Sequence, residues 1–374
     1  MMREGWEYKK LGDICNVING LWTGKKEPFI NVAVIRNTNF SKDCQLNLEN
    51  VAYIDVEAKQ FASRKLLCGD IIIEKSGGSE KQPVGRPILF NISEGDYSFS
   101  NFTSTLRIKE DAKVESSFLH KCLYASYLKG ETLKLQSKTT GLHNLNMKGY
   151  LRLNIPLPPK STQLAIVSEL DKINELIRLK KEQLKDFDNL AQSIFYEMFG
   201  DPVENEKGWE VKKLGEVYKM KSGDSLSTKS FEEGDIPVYG GNGISGYHNQ
   251  YNKDGSYIII GRVGVYCGNV RIVKGRFWLT DNAFELLYDN SSQNEVFVCS
   301  LLTHLNLRQY ANAAAQPVIS NNTLKHVSIP LPPLPLQHLF AQRIEQIEHQ
   351  KAEVQKSITD LETLLASRMQ YWFE

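Results

Sequence analysis

The sequence predicts an α+β fold in which two α/β domains alternate with two long helices, and the helices pack as an antiparallel coiled coil with pseudo-twofold symmetry. Three observations carry this prediction. Short motifs that bracket a first segment recur around a second segment. Each segment is followed by a long stretch with a regular apolar period, and both segments contain short apolar runs between turn residues.

The repeat is visible in two motifs. The motif G-W-E-x-K-K-L-G at residues 5–12 recurs at residues 208–215, which is 203 positions later. The motif I-P-L-P-P at residues 155–159 recurs at residues 329–333, which is 174 positions later. Because the two shifts differ by 29 residues, the second segment is shorter than the first between the same landmarks. The chain is therefore expected to hold two copies of one frame with different contents.

A long helix is predicted after each I-P-L-P-P motif. The prolines stop any preceding element, and apolar residues then alternate at spacings of four and three over about four heptads. Equal phase in the two copies favours helices that pack on each other, and ordinary core helices in a bundle remain the alternative. The predicted seam residues are Ile166, Leu170, Ile173, Ile177, Leu184, Phe187, Ala191, Ile194 and Met198 in the first helix and Phe340, Ile344, Ile347, Val354, Ile358, Leu361 and Leu365 in the second.

The landmarks set the expected boundaries along the chain. We expect a first α/β domain at residues 1–158 and a first long helix at residues 159–201. A second α/β domain is expected at residues 202–332, followed by a second long helix at residues 333–374. Two domains of this size agree with the length of the chain.

Strands and one helix are predicted inside each α/β domain. The apolar runs at residues 69–73 and 256–260 are bounded by turn residues, which is typical of strands. Residues 117–128 and 295–307 have helical periodicity, and each of these segments shortly precedes an I-P-L-P-P motif.

The composition limits the function classes. The charge balance is nearly neutral, with 45 Lys and Arg residues against 44 Asp and Glu residues, whereas a stand-alone, non-specific DNA-binding protein is usually more basic. The six cysteines include no C-x-x-C pair, which predicts free thiols in a reducing compartment. No stretch has the apolar length of a signal peptide or a membrane span, so we expect a cytoplasmic protein without membrane contact.

Each candidate catalytic or metal-binding motif in the sequence lacks a feature that its chemistry requires. The glycine-rich segment at residues 77–86 lacks the Gly-Lys-Ser/Thr ending of a phosphate loop, and residues 261–264 precede a predicted strand rather than the helix of a dinucleotide site. Asp70, Glu74 and Lys75 have nuclease-like residue types, but adjacent residues of a strand point to opposite faces. We therefore expect a chain that is not itself an enzyme and holds no metal or cofactor of its own.

The polar loops that remain predict a DNA-binding surface. Arg and Lys suit guanine O6 and N7, Asn and Gln suit adenine N6 and N7, and glycine lets the backbone approach phosphate. Residues 134–152 and 262–276 each contain four basic residues and no acidic residue. The residues predicted to bind DNA are Lys25, Lys26, Arg36, Asn37, Asn39, Lys75, Ser76, Gly77, Gly78, Ser79, Lys81, Gln82, Arg86, Asn101, Lys138, Thr139, Thr140 and His143 in the first domain and Tyr239, Gly240, Asn242, Arg262, Arg271, Asn282, Gln316 and Ser320 in the second.

The complete order of these features resembles that of the specificity (S) subunits of type I restriction-modification enzymes, across essentially the whole chain. Residues 236–244, 257–264 and 278–284 resemble one class of target-recognition domain. Residues 75–79 and 82–86 resemble another class. The I-P-L-P-P motif alone is a weak signal, and the doubled architecture carries the resemblance.

The resemblance implies a division of labour between subunits. Target-recognition domains 1 and 2 would each read one half of a split, asymmetric site in double-stranded DNA. The long helices, which are the central and C-terminal spacer regions, would set the spacing between the half-sites and dock two methyltransferase (M) subunits. S-adenosylmethionine would belong to the M subunits that methylate adenine, and ATP and Mg would belong to two restriction (R) subunits. The family often has Glu-Gln after the proline motif, whereas Thr162-Gln163 and Leu336-Gln337 stand here, so no M-subunit contact is assigned to these positions.

Two other interpretations stay open at this point. The chain could be the specificity partner of a type IIG-like enzyme, which would use the same DNA-reading chemistry. It could also be a coiled-coil scaffold whose α/β domains bind proteins. Binding of duplex DNA in the presence of M subunits separates the scaffold from the DNA reader.

Overall fold

The computed structural model describes residues 5–22, 24, 26–79, 82–139, 142–312 and 316–374 of the 374-residue chain. The chain divides into two compact units. Unit 1 comprises Met1–Leu179 and Ile358–Glu374, and unit 2 comprises Lys180–Ser357. Both units combine helices with strands, which confirms the predicted α+β class.

Unit 1 contains the elements before the first long helix and the first half of that helix. The strands are β1 (Glu7–Lys10), β2 (Cys15–Asn19), β3 (Phe29–Ile35), β4 (Ala52–Glu57), β5 (Ile71–Glu74), β6 (Ser76–Gly78), β7 (Pro87–Leu89), β8 (Tyr97–Phe99), β9 (Thr103–Ile108), β10 (Gln136–Thr139), β11 (Leu142–Leu145) and β12 (Asn154–Leu157). The helices are α1 (Leu11–Ile14), α2 (Ala58–Arg64), α3 (Ser116–Leu128), α4 (Met147–Tyr150) and the first long helix α5 (Lys160–Phe199), with 3-10 turns at Asn37–Asn39 and Glu131–Leu135.

The elements of unit 2 follow in a related order. The strands are β13 (Glu210–Lys213), β14 (Lys219–Ser222), β15 (Ile236–Gly240), β16 (Gly243–His248), β17 (Lys253–Gly261), β18 (Val270–Leu279), β19 (Ala283–Leu287) and β20 (Ser328–Leu331). The helices are α6 (Leu214–Val217), α7 (Glu295–His304), α8 (Asn321–Leu324) and the second long helix α9 (Leu334–Phe373), which ends in unit 1, with 3-10 turns at Thr228–Ser230 and Leu307–Tyr310.

The two repeated motifs pair with each other in each unit. In unit 1, β1 and β12 form an antiparallel ribbon in which Glu7 lies opposite Leu157. In unit 2, β13 and β20 form the same ribbon, in which Glu210 lies opposite Leu331. The predicted frame is therefore a physical unit that closes each α/β segment just before its long helix begins.

A buried central strand organises unit 1. Strand β5 lies in the sheet of order β2-β9-β5-β7. Ile71 and Ile73 face the core that contains Phe118 of α3, whereas Ile72 faces the core that contains Phe99. Because successive side chains of a strand point to opposite faces, a run of three isoleucines fits a strand that is covered on both sides.

Unit 2 repeats this arrangement in a larger sheet of order β14-β19-β17-β18-β15-β16. Ile258 and Ile260 of β17 face the core that contains Phe297 of α7, and Ile259 faces the core that contains Phe277. The strands expected from the two apolar runs are thus confirmed. The expected second helix ends at His304 rather than at residue 307, because a 3-10 turn follows it.

The two long helices each span 40 residues, or about 60 Å at 1.5 Å per residue. Within unit 2, Asp188 Oδ1 of α5 lies 2.8 Å from Lys351 Nζ of α9. The rings of Phe199 and Phe340 are 5.2 Å apart. From residue 188 to residue 199 along α5, the contacted residue of α9 moves back from 351 to 340. The two helices therefore run antiparallel, as predicted.

The same pairing of α5 and α9 occurs within unit 1. Arg368 of α9 donates to the carboxylate of Glu169 of α5, with Nη2 to Oε2 at 3.1 Å. The predicted seam residues are buried or half-buried along both helices. Phe195 and Met369, which lie 174 residues apart and outside the predicted seam, are also buried because each packs into the core of its unit.

A buried glutamine fixes the start of each long helix. Gln163 donates from Nε2 to the carbonyl of Pro158 at 2.9 Å and accepts from the backbone N–H of Glu115 at 2.8 Å. Gln337 donates from Nε2 to the carbonyl of Pro332 at 2.8 Å and accepts from the backbone N–H of Asn294 at 2.9 Å. Each glutamine therefore joins its proline motif to the segment before α3 or α7.

We expect Gln163→Ala to lower the free energy of unfolding by about 2 kcal/mol, because it leaves buried backbone groups without partners. The measurement is chemical denaturation of the full chain. Gln192→Ala is the matched control, since Gln192 is exposed on the same helix. An effect no larger than that of the control would contradict this role of Gln163.

Two properties of the side chains complete the description. All six cysteines are free thiols, and burial raises the pKa of Cys15, Cys44 and Cys299 to about 12. Within the described ranges, no helix has an apolar stretch of the length and hydropathy needed to span a bilayer.

Candidate nucleic-acid interface

A lysine follows the central strand of unit 1. The backbone N–H of Lys75 donates to the carbonyl of Phe102 at 2.9 Å, and its carbonyl accepts from the N–H of Leu145 at 2.8 Å. The half-buried side chain donates from Nζ to Oδ1 of Asn19, the last residue of β2, at 3.3 Å. Burial lowers the pKa of the Lys75 ammonium, because a charged group loses hydration there.

An arginine holds the equivalent position in unit 2. The backbone N–H of Arg262 donates to the carbonyl of Asn282 at 2.9 Å, and its carbonyl accepts from the N–H of Ile319 at 2.9 Å. Its Nη1 donates to Oγ of Ser222, the last residue of β14, at 3.3 Å. The guanidinium also lies 5.2 Å from the ring centre of Phe284, which fixes its direction.

The equivalence of the two cations follows from their partners. The residues that end β2 and β14 are 203 positions apart, and the residues whose N–H groups bond the two carbonyls are 174 positions apart. Lys75 and Arg262 themselves are 187 positions apart, so neither repeat shift relates them directly. Each unit therefore presents one cation at the same point of the frame, although the surrounding sequences differ.

A tight turn gathers further predicted residues beside the cation of unit 2. A Cβ at Gly241 would lie 2.5 Å from the carbonyl oxygen of Val263 and 3.1 Å from that of Asn282, so this close approach requires glycine. Asn242 is exposed in this turn. A Cβ on the glycine that follows it would lie 2.6 Å from Nη1 of Arg271. The structure thus brings Asn242, Arg271 and Asn282 to one turn.

Unit 1 has a cavity of about 460 Å³ lined by Phe102, whose carbonyl accepts from the backbone N–H of Lys75. Its wall includes Asn37 and Asn101, which the sequence singles out. It also includes Trp22 and Phe102, which are not among the predicted DNA-binding residues and whose side chains are 63% and 43% exposed. A tryptophan beside glycine and two lysines in a loop is the signal that could have identified Trp22.

Comparison with known proteins decides the family. The family model for the type I restriction modification DNA specificity domain matches residues 3–186 and 206–363. The chain belongs to this family. It is a specificity subunit of a type I restriction-modification system, and the two matches coincide with the two copies of the frame.

Curated relatives agree with this membership. The specificity subunit is 29% identical over 260 residues to the EcoprrI specificity subunit of Escherichia coli, and the match covers 65% of this chain and 63% of that one. It is 23% identical over 375 residues to the MjaX type I specificity subunit of Methanocaldococcus jannaschii, covering 92% of this chain and 87% of that one.

Solved structures share the fold of the specificity subunit. The S subunit from M. genitalium superposes with a TM-score of 0.58 at 16% identity, covering 100% of this chain and 98% of that chain. A chain from a structure of complex assembly and conformational transition in a type I system superposes with a TM-score of 0.65 at 18% identity, covering 100% of this chain and 99% of that chain.

The structure places the predicted DNA-binding residues in three groups. Lys25, Lys81 and Thr140 lie outside the described residues, as do the side chains of Lys138 and Thr139. Asn39, Gly78, Arg86 and His143 are buried. The remaining residues are exposed or half-buried, namely Lys26, Arg36, Asn37, Lys75, Ser76, Gly77, Ser79, Gln82, Asn101, Tyr239, Gly240, Asn242, Arg262, Arg271, Asn282, Gln316 and Ser320.

Arg86 lies inside unit 1, not on its surface. Its side chain is 4% exposed and forms a bidentate ion pair with Glu74, with Nε to Oε2 at 2.7 Å and Nη2 to Oε1 at 3.1 Å. Its Nη1 donates to the carbonyl of Phe40 at 3.0 Å. Because all three guanidinium nitrogens are engaged, the predicted base contact by Arg86 is replaced by a role in holding Glu74.

Asn39 and His143 also lie away from the surface. Asn39 accepts from the backbone N–H of Arg36 at 2.9 Å and donates to the carbonyl of Asn47 at 3.1 Å, so both ends of its amide shape the loop. His143 is 9% exposed, and its Nδ1 has no hydrogen-bond partner among the described residues. Ser320 is half-buried and accepts from Thr323 N–H at 3.1 Å, so it caps α8.

Both basic stretches present exposed cations among the described residues. Lys148 and Arg152 are exposed in the first stretch. In the second, Lys274 is exposed, but Arg276 Nε lies 3.1 Å from Asp254 Oδ2. Across the described ranges, no group of three or more His, Cys, Asp and Glu residues is arranged to hold a metal ion.

Proposed function

We propose that this specificity subunit reads a bipartite, asymmetric site in double-stranded DNA, with one half-site read by each unit. The observation that carries the proposal is the pair of equivalent cations, Lys75 and Arg262. Arg and Lys are the side chains that most often contact guanine O6 and N7 in the major groove. The frame repeats, but the residues around its cation differ between the two units. This fits two units that read two different DNA sequences.

The remaining exposed polar residues support base reading and phosphate contact. Around Arg262, the turn that carries Asn242 offers an exposed amide for adenine. Beside Lys75, Ser76 and Gly77 lie in strand β6. In this proposal, residues 1–158 and 202–332 are the two target-recognition domains, and residues 159–201 and 333–374 are the central and C-terminal spacer regions.

The paired helices are proposed to set the spacer and to dock two methyltransferase subunits. Their antiparallel pairing and their buried glutamine clamps make them stiff elements. A fixed spacing between two half-sites costs less to encode in stiff helices than in one continuous reading surface. Because the frame occurs twice, it can offer the same surface twice, which fits two copies of one partner.

The chemistry is proposed to lie in the partner subunits. The M subunits would bring S-adenosylmethionine, and R subunits would bring the ATP and Mg that translocation and cleavage require. This chain then contributes binding and selection alone. We place the complex in the cytoplasm, where its DNA substrate is found.

The test is a domain exchange in a host that lacks DNA methylation. The chain is co-expressed with its M subunit, and methylated positions are mapped by modification-sensitive sequencing. We expect a bipartite, non-palindromic motif, and we expect replacement of residues 204–328 by the matching segment of another specificity subunit to change one half only. A change in both halves of the motif, or in neither, would overturn the proposal that each unit reads one half-site.

A further inference from the structure

The cavity of unit 1 has the chemistry of a nucleobase site. Its inner wall is apolar, with the side chains of Leu21, Val34 and Val56, and its volume of about 460 Å³ is typical of a small-ligand pocket. Two aromatic residues of its wall, Trp22 and Phe102, keep 63% and 43% of their surface exposed. A flat apolar ligand could stack on such rings, as bases do in single-strand binding sites.

Two buried polar atoms of this wall have no partner in the structure as described. They are Oδ1 of Asn37 and Oγ of Ser100. The amide of Asn37 is fixed in direction, because its Nδ2 donates to Oε1 of Glu74 at 3.1 Å and to the carbonyl of Ser76 at 2.6 Å. Its Oδ1 is therefore an acceptor without a donor. Buried polar atoms in native proteins nearly always find partners, so this acceptor suits a ligand that supplies an N–H group.

The charges of the wall balance each other. The exposed carboxylate of Asp55 and the exposed guanidinium of Arg36 both line the cavity, so the wall has no excess of positive charge that would favour a phosphate. A neutral base with ring N–H or amino donors suits the apolar wall, the two rings and the unpaired acceptor together.

We propose that this cavity receives one base of the bound DNA, unstacked from the duplex and held between Trp22 and Phe102 with its N–H edge towards Asn37 and Ser100. The inference rests on the proposed function, since it assigns the cavity to the DNA that unit 1 reads. The base leaves its pair, and the cavity replaces the lost stacking and hydrogen bonds. The side chains that cover the two polar atoms in the free protein must move to admit it.

The test uses single mismatches in the half-site that unit 1 reads. The full chain with its M subunits is titrated with duplexes in which one base at a time, on either strand, has a mismatched partner. A mismatch removes the cost of unpairing, so at one position we expect binding about tenfold tighter than to the intact duplex. A base that is read within the duplex would instead lose affinity when its partner is changed.

Variants tie the effect to the cavity. Trp22→Ala is expected to abolish the gain from the mismatch, whereas Tyr53→Ala is expected to keep it. Tyr53 is the matched control because it is 70% exposed in unit 1 and does not line the cavity. With an abasic nucleotide in place of the responsive base, wild type and Trp22→Ala should bind alike.

Three outcomes would overturn the proposal. They are a loss of affinity with every mismatch, a gain that survives in Trp22→Ala, and saturable binding of a free mononucleotide that Trp22→Ala abolishes without any mismatch effect. The last would assign the cavity to a free nucleotide. The proposed function is tested separately by sequence-specific binding to the intact duplex, so the two can fail independently.

Discussion

Arg262→Ala is expected to weaken binding to the recognised DNA by about 1–3 kcal/mol, which is roughly 5- to 150-fold. The reason is the position of Arg262, whose backbone is held on both sides and whose guanidinium is oriented by Ser222 and Phe284. A donor that is already oriented loses little freedom when it meets a guanine. The loss should fall on the half-site that unit 2 reads and leave the other half unchanged.

Lys75→Ala should produce the complementary result in the half-site that unit 1 reads. The measurement is a binding assay with M subunits, using duplexes that carry one substituted base pair at a time. Arg276→Ala and Lys59→Ala are the matched controls, since Arg276 is paired with Asp254 and Lys59 is exposed on α2. If Arg262→Ala weakens binding equally for all sequences, its side chain contacts phosphate rather than a base.

The repeated motifs made the frame predictable, because the local sequence of each motif determines its secondary structure. The prolines at residues 155–159 end a strand and start a helix wherever they occur. The 3.5-residue period similarly encodes a helix with one apolar seam. Patterns of this kind are local in the chain, so the ribbon, the central strands and the long helices could be expected before any coordinates.

The candidate site was only partly predictable, because its geometry depends on contacts between distant residues. The equivalence of Lys75 and Arg262 is hidden in the sequence, because unit 1 has extra residues both before and after Lys75 relative to unit 2. Their common position is visible only from the partners at the ends of β2 and β14. The glycine and lysines beside Trp22 give only a weak signal, because its place in the cavity depends on Val34 and Phe102, which are distant in the sequence.

Gln163 and Gln337 show that a repeated residue can serve packing within each unit. The sequence places them where the family often has Glu-Gln, but it assigns them no subunit contact. The structure buries both side chains and uses them to join each helix to its own unit. Repetition therefore marks a residue as necessary to the frame without saying whether it serves packing or partners.

Arg86→Met is expected to lower the free energy of unfolding by about 3–5 kcal/mol, because it leaves the carboxylate of Glu74 buried without its cation. Loss of Arg86 would also leave the carbonyl of Phe40 without this donor. The measurement is chemical denaturation of the full chain, combined with hydrogen exchange at β5 and β7. Arg152→Met is the matched control, since Arg152 is exposed in the same unit.

The double variant Glu74→Leu with Arg86→Met separates a structural role from DNA reading. Replacing both charges by apolar side chains of similar size removes the unpaired charge, so most of the lost stability should return. If Arg86 has a structural role, the double variant should be stable and should still select the same bases in the half-site that unit 1 reads. If Arg86 instead contacts a base, the Arg86→Met variant should be as stable as wild type. One position of the recognised DNA sequence should then accept any base. Since all three guanidinium nitrogens bond within unit 1, the first pattern is the one we expect.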